Sequence, residues 1–216
     1  MADLQRATRR RKSRDQAVHP YGTVGRLMGF LMGWMNAAQN RLTVDQLEVG
    51  PGHAVLEIGF GPGRSLKRLA DTTQAGFIAG LDHSALMVET ARSRNARTVK
   101  SDRMEIVEGD VADLPWDRAT FDTVLAINSF MQWPDQPKAL KEIARVLKPG
   151  GTLTISVRIP HRDQGYETRE QALAHVKNAT NGLEAAGFYA VHATRHTLKN
   201  RDVTLVSAIV PKDQHA

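Results

Sequence analysis

Three glycines at alternate positions, Gly59, Gly61 and Gly63, follow the apolar run Val55-Leu56-Glu57-Ile58. Glycine lacks the Cβ that holds a ligand off the backbone, and it reaches dihedral angles closed to other residues. Such a turn between a strand and a helix suits a nucleotide-like ligand. A dinucleotide fingerprint requires G-x-G-x-x-G, but here the third glycine comes one position early and Arg64 stands in its place. The triphosphate pattern G-x-x-x-x-G-K-[ST] does not occur either. The turn therefore invites close approach without matching either phosphate pattern, and a purely structural tight turn is the plain alternative.

Further polar residues recur at the ends of apolar runs. Asp82 stands 19 residues beyond Gly63, where an acid can accept bonds from both hydroxyls of a ribose. An acid there also suits a helix N-terminus in any protein. Glu108-Gly109-Asp110-Val111 follows the next run. Asp110 can accept from an exocyclic adenine amine while a neighbouring backbone N–H donates to the ring. Asn128-Ser129-Phe130-Met131-Gln132-Trp133 follows the run after that and would reach the reacting end of such a ligand. His161 and Arg162 follow the last run of the series. His161 is the best-placed potential base, and a solvated loop histidine is its plain alternative.

These positions matter because of the elements that must carry them. HAVLEI, AGFIAGLD, RMEIVEGD, TFDTVLAIN and GTLTISVRI read as five buried strands. Helices are expected from Gly63, from a Ser84 cap to about Arg97, over Asp135–Leu147, and over Glu167–Ala186. Lys148-Pro149-Gly150-Gly151 reads as the turn that ends the third of these. YAVHATRHTL and DVTLVSAIVP flank Lys199-Asn200-Arg201 as a hairpin. Alternating strands and helices imply a parallel sheet covered on both faces, with the hairpin adding an antiparallel strand. Ligands of open sheets bind beyond the carboxyl ends of the strands, where the polar residues fall.

The chain has 216 residues, 41% hydrophobic and 24% charged, and no cysteine. That fits one α/β domain and excludes disulfides, thiolate metal sites and a cysteine nucleophile. Most of the net charge of +6 lies in the first 14 residues, where Arg6, Arg9, Arg10, Arg11, Lys12 and Arg14 face only Asp3. The basic character belongs to a tail rather than to the domain. Such a tail can make weak contact with an anionic membrane, while the near-neutral remainder argues against specific nucleic-acid binding. The run LMGFLMGWM is too short to span a bilayer, and nothing following it resembles an export cleavage site. A cytoplasmic enzyme is the expectation. Apolar residues at Val24, Leu27, Met28, Leu31, Met35, Ala38 and Leu42 mark an amphipathic helix. Residues 1–18 thus read as a basic tail, 19–48 as a helical lid and 49–216 as the main domain.

Glu57-Ile58-Gly59-Phe60-Gly61-Pro62-Gly63, then Asp82, Gly109-Asp110-Val111 and Leu147-Lys148-Pro149-Gly150-Gly151 stand in an order that resembles class I S-adenosylmethionine-dependent methyltransferases. The flavour is that of the ubiquinone/menaquinone-biosynthesis-like small-molecule group, and the resemblance covers about residues 45–210. It implies a Rossmann-like α/β fold. The sheet would have seven strands, mostly parallel with an antiparallel C-terminal strand, and helices on both faces. It also implies S-adenosyl-L-methionine as cofactor. Gly59, Phe60, Gly61 and Gly63 would approach its methionine part, and Glu57 would orient that loop. Asp82 would hold the ribose hydroxyls, with His83 and Met87 near the ribose or adenine. Gly109, Asp110 and Val111 would hold the adenine edge, and Asn128 would lie near the amino acid and the sulfonium methyl.

On the acceptor side, the candidates are Tyr21, Trp34, Gln132, Trp133, Arg162 and the possible base His161. Trp133, before Pro134, also reads as a packing residue at a helix entry. No cluster of ligating residues has metal spacing, and no metal is expected. The expected reaction is methyl transfer to a small, partly apolar organic acceptor. The alternatives are a lipid or quinone-like acceptor at a membrane surface and a nicotinamide-dependent reductase.

Overall fold

A computed structural model describes residues 36–162, 168–199 and 201–212. The basic tail, Tyr21, Trp34 and all of the expected lid before residue 36 lie outside the described residues. The described residues begin with α1 (Ala37–Asp45), β1 (Ala54–Ile58), α2 (Arg64–Thr72) and β2 (Phe77–Asp82). It continues through α3 (Ala85–Arg94), α4 (Ala96–Lys100), β3 (Met104–Glu108) and β4 (Phe121–Ile127). A short 3₁₀ turn (Phe130–Gln132) leads to α5 (Gln136–Val146), β5 (Leu147–Pro160) and α6 (Arg169–Ala185). The chain then forms β6 (Tyr189–Leu198) and β7 (Arg201–Ile209).

All seven strands form one sheet in the order β3-β2-β1-β4-β5-β7-β6. The first five are parallel, and β7 runs antiparallel to both β5 and β6. The hairpin therefore inserts its second strand between β5 and its first. The strand order reverses between β1 and β4, which opens a crevice at their carboxyl ends.

Central parallel strands are apolar on both faces because helices cover both. On one face, Leu56, Ile58, Val124 and Ala126 pack against Leu140 and Ile143 of α5 and Leu183 of α6. On the other, Val55, Ile78, Leu125 and Ile127 pack against Leu66 and Leu69 of α2 and Met87, Val88 and Ala91 of α3. Val44 of α1 joins this second core.

Three expectations change in detail. The helix expected from Ser84 to Arg97 ends at Arg94, and Asn95 separates it from α4. The buried Asn95 side chain donates to Ala91 O and to Gly63 O, bonds that compete with a continuing helix. Ser84 stands at the N-cap position, but its side chain makes no capping bond. Lys148-Pro149-Gly150-Gly151 lies within β5 rather than before it, at a bulge between the Phe121–Leu147 and Thr123–Thr152 pairs. A Cβ at Gly151 would stand 2.8 Å from Lys148 O and 3.1 Å from Asp122 O, so the bulge needs glycine there.

The last long helix, α6, starts at a reciprocal cap. Thr168 Oγ1 accepts from Gln171 N–H, and Gln171 Oε1 accepts from Thr168 N–H. Thr168→Ala removes one of these bonds and is expected to lower unfolding stability by about 1 kcal/mol, read by urea denaturation. An unchanged midpoint would show that the cap contributes nothing.

Candidate functional site at the carboxyl rim of the sheet

The loop after β1 carries left-handed backbone at all three glycines: φ is 72° at Gly59, 55° at Gly61 and 72° at Gly63. Two of the three face protein. A Cβ at Gly59 would stand 2.4 Å from Ser129 Cβ, and one at Gly63 would stand 2.6 Å from Ala91 Cβ. These glycines let the β4 end and α3 close on the loop. At Gly61 no atom of the described residues lies within 4 Å of where a Cβ would stand, so among them this part of the loop borders open space.

The loop is pinned by bonds from its neighbours. Gly59 N–H donates to Leu81 O at 2.7 Å, and Gly61 N–H donates to Asp82 Oδ2 at 2.8 Å. Arg94 Nε donates to Pro62 O, Asn95 Nδ2 donates to Gly63 O, and Ser129 Oγ donates to Ile58 O. Arg94 and Asn95 have no signal in the sequence, and Ser129 stands there only as part of the segment after β4. Their loop partners are carbonyls, which carry no side-chain signature.

Asp82 is nearly buried at the end of β2, and Ser84 N–H donates to its other oxygen at 3.0 Å. Both carboxylate oxygens thus hold one backbone donor, and each keeps further accepting capacity. His83 is exposed, with Nδ1 3.6 Å from Asp82 Oδ1. Met87 is buried in the second core, and Phe60 packs on Gly80. At the β3 end, Gly109 N–H donates to Asp82 O. Asp110 is exposed, and its Oδ1 accepts from Ala112 N–H at 2.9 Å, which shapes its own turn. Val111 is buried beside it.

Glu57 lies beneath the glycine loop, 1% exposed. Ser65 Oγ donates to its Oε1 at 2.5 Å, while Oε2 has no hydrogen-bond partner among the described residues. Burial pushes its carboxyl up to about 8, opposed by the Ser65 bond and aided by the Asp82 charge. Burial also raises Asp82, and its Ser84 and Gly61 donors oppose that rise. Two backbone donors favour the ionised form at Asp82, so near neutral pH the proton of this pair resides on Glu57.

The β4 and β5 ends bring together residues that the sequence did not. Asn128 has a left-handed φ of 55°. Gln39 Nε2 donates to Asn128 Oδ1 at 3.0 Å and to Ser156 Oγ at 2.9 Å. Asn128 Nδ2 donates back to Gln39 Oε1 at 2.8 Å, and Thr43 Oγ1 donates to Ser156 Oγ at 2.9 Å. Gln132 is exposed, and its Nε2 donates to Asn128 O at 3.3 Å. Trp133 is buried, edge-on to Phe130 at 5.1 Å, which is the packing role of the two expected for it.

Beyond the β5 end, His161 Nε2 lies 3.0 Å from Asp202 Oδ1. Asp202 also accepts from Arg195, and Arg169 NH2 stands 3.6 Å from its Oδ2. The Arg195 bonds, with those of His161 and Thr197, hold the Asp202 carboxyl well below the usual carboxylate range despite its burial. Arg162 is exposed next to His161. Among the described residues, no group of three or more His, Asp or Glu side chains could hold a metal ion, and no helix is long and apolar enough to cross a membrane.

An open sheet of this order, with a glycine loop at the crevice and an acid on the next strand, defines the class I methyltransferase fold. The comparisons agree. A model described as a methyltransferase domain matches residues 56–155. An uncharacterized methyltransferase, YdaC, of Bacillus subtilis is 30% identical over 75% of this chain and 86% of its own. The O-methyltransferase cnsE of Penicillium expansum is 31% identical over 69% of this chain and 56% of its own. The chain spans about half the length of several other curated relatives. A SAM-dependent methyltransferase structure from Aquifex aeolicus superposes with a TM-score of 0.64, at 21% identity over 79% of this chain and 89% of its own. The chain belongs to the methyltransferase-domain family.

The buried Glu57 carboxyl carries a pH signature. Folding moves it from its ordinary value of 4.5 to about 8, so the folded chain keeps a proton that the unfolded chain releases between those values. Its effect on stability is most favourable below the unfolded value. It declines by about 1.4 kcal/mol per pH unit through the interval and levels off above the folded value. Glu57→Gln cannot titrate. Ligand-free Glu57→Gln protein should therefore lose less stability than wild type between about pH 5 and 8 in denaturant titrations, and parallel curves would contradict the buried proton.

Proposed function

We propose that the chain binds S-adenosylmethionine across the rim from β1 to β4 and transfers its methyl to a hydroxyl of a small, partly apolar organic acceptor. The observation that carries this reading is Gly61: left-handed, bordered by open space, and tied through its N–H to the acid that ends β2. The cradle fits the cofactor. Asp82 retains acceptor sites for ribose hydroxyls, Asp110 and Val111 flank the adenine edge, and His83 stands at the exposed side. Glu57 supports the loop from below, and Asn128 stands at the amino-acid end. Family membership supports methyl transfer over the nicotinamide-dependent alternative.

The cofactor, when bound, supplies a methyl already activated by the sulfonium. The protein's task is to align the acceptor within roughly 3–3.5 Å and exclude water. A hydroxyl acceptor must also lose a proton. His161 can take it. With Nε2–H donated to the Asp202 carboxylate, Nδ1 is left as the accepting nitrogen, and Asp202 stabilises the imidazolium that forms. Gln132 and Arg162 are exposed and available to the acceptor. Transfer to oxygen also accords with the similarity to the Penicillium expansum O-methyltransferase.

Two experiments test the reading. In calorimetry with S-adenosylhomocysteine, Gly61→Ala should bind at least tenfold more weakly while unfolding only about 1–2 kcal/mol more easily. Gly59→Ala, which meets Ser129, should chiefly lose stability. Equal S-adenosylhomocysteine affinity in wild type and Gly61→Ala would remove the loop from the cofactor site. In radiolabelled methyl transfer to a panel of phenols and alcohols, His161→Ala should lower kcat by about 10²–10⁴ and leave S-adenosylhomocysteine affinity intact. Undiminished turnover would exclude His161 as the base.

A further inference from the structure

The sense of the hydrogen bonds around Asn128 is set by one group. The backbone N–H of Arg158 lies 3.1 Å from Asn128 Oδ1. A peptide N–H can only donate, so this end of the amide is the oxygen. Asn128 Nδ2 must then face Gln39 Oε1, and Gln39 Nε2 must face Asn128 Oδ1 and Ser156 Oγ. Both lone pairs of Asn128 Oδ1 are thereby filled, and both N–H groups of Gln39 Nε2 are used. Gln39 is 1% exposed, and Thr43 and Ser156 are fully buried, so water does not compete for the bonds to Ser156, while Asn128 is half-buried.

Asn128 is also the residue whose left-handed backbone turns the chain away from β4 toward Ser129 and the Gly59 contact. Its amide is anchored to β5 through Arg158 N–H and to α1 through Gln39. What remains for a ligand is one Nδ2–H and the main-chain oxygen, which takes only a long bond from Gln132.

We propose that Gln39 is a positioning residue of the cofactor site: its reciprocal amide pair with Asn128 holds the β4 end in the left-handed turn that meets the ligand. The proposal rests on the S-adenosylmethionine site described above. Gln39 acts through Asn128 without touching the ligand, and it makes α1, at the start of the described chain, part of the binding machinery.

Thr43 supplies the control. It lies one helical turn from Gln39, is as deeply buried, and bonds to Ser156 without touching Asn128. Gln39→Leu and Thr43→Val each remove buried polar contacts from the same helix. S-adenosylhomocysteine affinity is measured by calorimetry on the full-length chain at a temperature where every variant is folded. Gln39→Leu is expected to bind about tenfold more weakly and Thr43→Val to stay within twofold of wild type. In ¹⁵N spectra, the Asn128 side-chain amide should shift on ligand addition in wild type and Thr43→Val, and lose that response in Gln39→Leu. Equal losses in both variants, or no loss in either, would overturn the positioning role and leave the cofactor site standing. Absence of binding by wild type would overturn both. If Gln39→Leu does not fold, Gln39→Glu replaces it. A protonated glutamic acid can donate to Asn128 Oδ1 where a glutamate cannot, so affinity should recover as pH falls; a flat profile would overturn the role.

Discussion

Everything at the rim depends on the glycine loop being held still with little help from side chains of its own. Its conformation is left-handed at three positions, and Phe60, buried in the second core, is the one loop side chain that packs into that core. The surrounding elements lock the loop, each through a directional bond: Asp82 from β2, Arg94 and Asn95 from the end of α3, and Ser129 from the β4 end. A mobile glycine loop would lose conformational entropy on binding a ligand. Here that loss has already occurred on folding, which leaves more of the contact energy for binding. The absent Cβ atoms thus serve two separate purposes, closure by protein at Gly59 and Gly63 and open space at Gly61.

The same arrangement explains why two carboxyls tolerate one buried neighbourhood. Asp82 receives backbone donors on both oxygens, whereas Glu57 receives a single serine hydroxyl. Burying two charges side by side would be expensive, and holding one proton removes most of that expense. The less well-solvated partner takes the proton. Asp202 shows the opposite solution at the far side of the rim. Guanidinium and imidazole groups surround it, so it stays ionised when buried.

How far this was legible in the sequence follows from the range of the interactions. Strands, their order of use and the polar residues at their ends are local patterns, and Gly59, Asp82, Asp110 and Asn128 all stand at strand ends. Apolar residues beside those motifs were harder to place. Met87 and Trp133 have the same composition whether they line a ligand or a core, and both are buried among core side chains. Glycines and prolines mark a break without saying which kind, so Lys148-Pro149-Gly150-Gly151 reads as a turn and forms a bulge. The contacts between Gln39 and Ser156, 117 positions apart, and between His161 and Asp202, 41 apart, have no local signal at all. They exist only because the sheet brings β4, β5 and β7 to the same rim.

The two sides of that rim are built differently. From β1 to β4, the main chain of the glycine loop is tied by side chains that are themselves buried or half-buried, an arrangement that suits a ligand that stays the same. Beyond β5, the described groups are side chains in an ionic cluster, with Arg162 and Gln132 exposed nearby. The exposed groups among them, Arg162 and Gln132, can be exchanged without disturbing the sheet, because surface substitutions away from caps and cores change stability little, whereas the buried Asp202 cannot. A fold that meets one ligand with a loop locked by buried side chains and the other with exposed, replaceable ones can change acceptor while keeping its donor. Gln39 and Asn128 stand where these two regimes meet, joining α1 to both β4 and β5.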